Sequence, residues 1–120
     1  MAGSILEKGK TIYSSGQPMT AIHIITKGKV RATYPGGTYM LAEGDVIGIC
    51  EICSEVHFVD YVTMDNVTIM TYPLNNIDAL EKVLRSHAAM AKLILQSLFR
   101  QLNNVMGRII PAATGCDIVQ

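Results

Sequence analysis

The chain carries no surplus charge: ten Lys and Arg are matched by ten Asp and Glu. Binding to nucleic-acid phosphates draws on an excess of Lys and Arg, so no direct nucleic-acid binding is expected. Cysteine is scarce and odd in number. The three cannot all pair within the chain, which points to a reducing, cytoplasmic setting. No apolar run reaches about 18 residues, so no membrane-spanning helix is expected. Glu7, Lys8 and Lys10 interrupt any apolar stretch near the N-terminus, so no signal peptide is expected. Internal repeats and low-complexity tracts are missing. So are Gly-x-Ser-x-Gly, a P-loop and a dinucleotide fingerprint, and the chain does not read as an enzyme. What it has is apolar content, 49% of 120 residues, enough for the core of one domain.

Short strand patterns alternate with turn chemistry from residue 5 to about residue 74. Thr11-Ile12-Tyr13 ends at Ser14-Ser15-Gly16-Gln17-Pro18, and Ala21 to Thr26 is β-branched and stops at Lys27-Gly28. Lys29 to Tyr34 turns through Pro35-Gly36-Gly37 into Thr38 to Leu41. Phe58 to Thr63 and Val67 to Tyr72 are the last two strands. Strands at this spacing predict a sandwich, roll or barrel. The first residues, near 5–9, read as a short turn.

Between these strands lies Gly44-Asp45-Val46-Ile47-Gly48. Glycines at both ends of an apolar strand mark sharp backbone turns. The uncharged turn Gly48-Ile49-Cys50 reads as a place where bare backbone N–H groups could face an anion.

Near Pro73 the period changes. Asn75-Asn76 offer N-cap side chains, and Asp78 suits a first turn. Ile77, Leu80, Val83 and Leu84 keep helical spacing. Arg85-Ser86-His87 reads as a break, with Ser86 able to cap a second helix from about Ala88 to Arg108. Its stripe starts at Ala91 and continues through Leu95, Leu98, Leu102, Val105 and Ile109. A helix this long spans roughly 30 Å and outruns a small β core, so the stripe is expected to meet a second copy through Leu95, Leu98, Leu102 and Val105. Lys82, Arg85, Lys92, Arg100 and Arg108 read as its solvated face. Ile110 to Cys116 is helix-breaking and uncharged, and residues 111–120 read as a tail or linker. The chain is therefore expected to be a regulatory domain cut from a longer protein.

Gly16-Gln17-Pro18, Ile24 to Val30, Gly44 to Gly48 and the two-part helical tail Ile77 to Ile109 together resemble the cyclic nucleotide-binding domain family. The likeness is to members of the catabolite-activator and kinase-regulatory type, and it covers about residues 5 to 109. It implies a cassette after Gly48 in which a helix N-terminus, a Glu and an Arg hold a cyclic nucleotide. Two charged positions depart from that pattern. Ile49 stands where the Glu is expected, and Ile49 to Tyr61 contains no Arg or Lys, leaving His57 as the nearest match. Glu51 lies two residues late, and Glu51 and Glu55 would repel a phosphate. The resemblance thus leaves three outcomes open: a cyclic nucleotide, a different and more apolar small ligand, or none.

Cys50-Glu51-Ile52-Cys53 has a metal-ligand spacing, but no second cysteine pair exists to complete a zinc site. His23, His57 and His87 form no His-x-His pair, so a small cupin-like metal-binding protein is the weakest reading, and no metal ligands are assigned.

The expectation is a mainly β protein, an antiparallel β-roll of jelly-roll type at 5–74 with C-terminal helices at 76–109, in one domain spanning 1–110. Its function is regulatory, in signal transduction or transcription. The ligand-binding residues are Gly48, Ile49, Cys50, Glu51, His57 and Phe58, and pocket occupancy passes through the terminal helix to an effector domain absent from this chain. A ligand-free dimerisation domain is the alternative.

Overall fold

Period-two alternation builds most of the strands. The computed structural model describes residues 2–114, with side-chain surroundings for 3–105. The strands are β1 (Ala2–Leu6), β2 (Thr11–Tyr13), β3 (Ile22–Lys27), β4 (Val30–Tyr34), β5 (Gly37–Leu41), β6 (Val46–Ile47), β7 (Asp60–Thr63) and β8 (Val67–Tyr72). They form two four-stranded antiparallel sheets, ordered β1-β8-β3-β6 and β2-β7-β4-β5. Val30, Ala32, Tyr39, Leu41, Tyr61, Val67 and Ile69 point between the sheets and make one core. The jelly-roll expectation holds.

β3 is apolar on both faces because both are covered. Ile25 faces the inter-sheet core. Ile22 and Ile24 face a second core with Val46, Ile49, Ile52, Leu74, Leu80 and Ile94. That second core lies beneath two helices, α1 (Ile77–Ser86) and α2 (Ala88–Thr114). Asn76 caps α1 as expected, its side chain accepting from the Ala79 N–H at 2.9 Å. Ser86 does not cap α2; its hydroxyl donates back to the Lys82 carbonyl.

Four local expectations are corrected. Residues 2–6 form a strand, where a turn near 5–9 was expected, because β8 offers them a partner edge. Phe58 and Val59 lie outside β7, because their N–H groups bond a side chain and not a neighbouring strand. The second helix runs on through Pro111 to Thr114. Proline removes one helical hydrogen bond, and Ala112 and Ala113 beside it are strong helix formers. Residues 115–120 of the expected tail lie outside the described residues. The helix face is also turned: Ile94, Ser97 and Gln101 are its buried positions, while Leu95, Phe99 and Leu102 are exposed. No helix among the described residues is long and apolar enough to cross a membrane.

Candidate functional site

Gly48 takes φ +96°, a conformation that disfavours any side chain, and a Cβ there would meet Met19 Cε at 3.2 Å. The chain turns into a single 3-10 turn, Ile49–Glu51. Ile49 drops into the second core, and Glu51 points the opposite way, fully buried.

Glu51 organises the cassette. Its carboxylate accepts from the Phe58 and Val59 N–H groups at 2.6 and 3.0 Å, and from the Tyr61 hydroxyl at 2.6 Å. It also meets His57 Nδ1 at 3.1 Å. Burial first, and then the adjacent carboxylate, hold the Tyr61 hydroxyl protonated well above its ordinary range, so it is a secure donor. A buried carboxylate needs several donors of this kind. His57 is itself fully buried, stacked on Tyr13 at 3.9 Å between ring centres. Tyr13 Oη lies 2.7 Å from His23 Nε2, and His23 Nδ1 lies 2.9 Å from Thr71 Oγ1. Burial, and to a lesser degree His57, push the His23 imidazole down to about 4.

The glycine-bounded strand is clasped to α2. Ser97 Oγ accepts from the Val46 N–H at 2.8 Å and donates to Asp45 Oδ1 at 3.2 Å. Arg100 is half exposed, as the solvated face expected from the sequence requires, and it also pairs with Asp45 through Nε at 3.0 Å. Gln101 Nε2 donates to the Val46 carbonyl at 2.9 Å and to Ser97 Oγ at 3.0 Å. Gln101 Oε1 accepts from the Tyr39 hydroxyl at 3.1 Å and the Cys50 thiol at 3.5 Å. One buried amide therefore touches β5, β6, the cassette and α2. Burial, then Glu51, push the Cys50 thiol up to about 11, so it stays a thiol.

Beside Gln101 lies a cavity of about 290 Å³. Tyr34, Pro35 and Tyr39 line it from the β4–β5 hairpin, Cys50, Phe58 and Val59 from the cassette, and Gln101, Leu102 and Val105 from α2. Of the six expected ligand residues, Cys50 and Phe58 reach this cavity; Glu51 and His57 are turned into the packed interior. On the expected dimer stripe, Leu98 and Val105 pack on the domain's own cores, and Leu95 and Leu102 face outward. The clasp residues Asp45, Ser97, Arg100 and Gln101 were missed. The available signal was a polar i, i+4 pair, Ser97 and Gln101, on an apolar helix.

A larger, open groove of about 870 Å³ runs between β3, β8 and the α1–α2 junction. Among the described residues it is lined by none from 48–58.

The glycine-bounded cassette and the cavity thus belong to a β-roll closed by its second helix. The family model described as cyclic nucleotide-binding domain matches residues 5–83, and the chain belongs to that family. No curated protein matches it in sequence. Among solved structures, a transcriptional regulator from Thermotoga maritima aligns with TM-score 0.69 and 16% identity, over 94% of this chain and 92% of that one. A cAMP-binding acyltransferase from Mycobacterium smegmatis aligns with TM-score 0.61 and 17% identity, over 77% of this chain and 30% of that one. The regulatory subunit of a cAMP-independent protein kinase A from Trypanosoma brucei aligns with TM-score 0.58 and 18% identity, over 76% of this chain and 39% of that one. The chain thus spans well under half of the last two, and these likenesses show a shared fold.

The described residues do not fit a cyclic phosphate. Glu51 is fully bonded inside the core, and His57 is stacked on Tyr13 and paired with Glu51 through Nδ1, its buried Nε2 having no partner among the described residues. Among the described residues no Lys, Arg or His lines the cavity.

Proposed function

We propose that this domain is a non-catalytic sensor that reports occupancy of the 290 Å³ cavity through the position of α2. The observation that carries the reading is Gln101: its carbonyl holds two cavity residues, and its amide holds β6. A ligand that displaces Tyr39 or Cys50 loosens the amide that fixes the helix. Such a switch needs a preference of only a few kcal/mol between helix positions. An effector domain beyond this chain, or a second copy, receives the movement. Family membership supports a regulatory role, and the transcriptional regulator from Thermotoga supplies a relative of nearly the same length.

Gln101→Leu tests the clasp. The variant leaves the Val46 carbonyl and the Tyr39 hydroxyl unpaired, at a cost of about 2 kcal/mol. Hydrogen exchange at 93–105 is expected to rise about 10–30-fold while β3 and β8 stay protected. Unchanged exchange in α2 means the helix is held without the clasp, and the reading fails.

The second copy is proposed to dock on Leu95, Phe99 and Leu102, which recur at i, i+4 and i+7, with Phe99 61% exposed. Sedimentation velocity is expected to give a dimer that Leu95→Asp with Phe99→Asp converts to monomer. A monomer at high micromolar concentration, or a dimer that survives both substitutions, removes that surface.

A further inference from the structure

We propose that the cavity takes an uncharged, largely aromatic small molecule bearing one hydroxyl or carbonyl group, and excludes cyclic nucleotides. The inference rests on the sensor reading and names the ligand class of the same site. Its first support is the lining. Tyr34, Tyr39, Phe58 and Val59 present rings and methyl groups, and no acidic or basic side chain among the described residues reaches the space. A phosphate brought there would lose its hydration with no cation among the described residues to replace it.

The second support is an unanswered polar atom on a residue of the lining, the other such atom among the described residues being His57 Nε2 in the packed interior. The Tyr34 hydroxyl is buried and has no hydrogen-bond partner among the described residues, whereas Tyr39 and Cys50 already bond Gln101. Buried hydroxyls in native folds are almost always paired, so an orphan on a cavity wall marks where a ligand's polar group belongs. The phenol can donate or accept, so a hydroxyl or a carbonyl fits equally. The Tyr34 ring packs against Tyr39 at 5.8 Å, which links the ligand's polar end to the residue that holds Gln101. Size agrees: about 290 Å³ lies at the lower edge of small-molecule pockets, roughly 300–1,000 Å³.

Isothermal titration of the whole chain with 2-naphthol, naphthalene, cAMP and cGMP separates the possibilities. 2-Naphthol is expected to bind below about 500 µM, with no heat from either cyclic nucleotide at millimolar concentration. Tyr34→Phe is expected to weaken 2-naphthol about tenfold, the loss one neutral hydrogen bond carries, and to leave naphthalene unchanged. Absence of 2-naphthol binding overturns the proposal, as does equal weakening of both probes in Tyr34→Phe. Cyclic-nucleotide binding that competes with 2-naphthol also overturns it, while leaving the sensor reading intact. Hydrogen exchange of α2 with 2-naphthol bound is the separate arm. Binding without any change in α2 keeps the ligand class and removes the sensor reading.

Discussion

Replacing Glu51 by alanine is expected to cost about 3–5 kcal/mol, a large part of the roughly 5–15 kcal/mol that holds a domain folded. The carboxylate is fully buried and receives two backbone N–H groups, a phenol and an imidazole. Truncation leaves all of these groups facing an apolar void, and unpaired buried donors are the expensive outcome of such a change. Glu51→Gln keeps the volume but turns an NH₂ group toward donors, so it should fall between wild type and alanine. Glu55 is the internal control: it is exposed and makes no comparable bonds, so Glu55→Ala should shift stability by less than about 1 kcal/mol. Urea unfolding monitored by far-UV circular dichroism measures all three. A Glu51→Ala midpoint indistinguishable from that of Glu55→Ala would remove the network from the account of stability.

Acidification is expected to destabilise the fold between about pH 6.5 and pH 4 through His23. Its ring is buried on the inter-sheet side of β3, bonded to Tyr13 and Thr71, and its protonation is pushed from 6.5 down to about 4. The folded state keeps the ring neutral in this window, and the unfolded chain takes up a proton. Stability is therefore fully present above pH 6.5 and declines as the pH falls. The gap between 6.5 and about 4 sets an upper bound of about 3 kcal/mol on the loss. His23→Gln retains a polar amide but cannot titrate. Denaturant midpoints from pH 7.5 to 4.5 should fall more steeply for wild type than for this variant. Parallel curves would show that His23 makes no contribution to acid sensitivity.

The strands β2 to β5 and β8, the capped start of α1 and the long second helix were legible as runs of β-branched residues, turn dipeptides and helical spacing. β1 was not, because Ala2-Gly3-Ser4-Ile5-Leu6 has little strand preference of its own and is ordered by pairing with β8. The axial position of α2 was also out of reach. Ala91, Leu95, Leu98, Leu102 and Val105 form a plausible stripe, yet the β-roll selects Ile94, Ser97 and Gln101 as the fully buried positions. A helix with apolar residues on two sides can be docked either way, and only the opposing surface chooses. Here that surface offers Asp45 and the backbone of Val46, which are answered by Ser97, Arg100 and Gln101.

Family, fold and the loss of the cassette's charged residues are properties of the sequence alone. They rest on glycines at turns, on strand periodicity and on Ile49 standing where a Glu is expected, all of which are local and need no coordinates. The roles of Glu51, His57 and Gln101 were decided by tertiary structure. A carboxylate three residues past Gly48 could face a ligand or the core, and its direction depends on which donors lie within reach once the sheets close. Phe58, Val59 and Tyr61 supply those donors from a segment that folds back over the turn. Side-chain direction in a tight turn is thus a long-range property, set by the partners that burial makes obligatory.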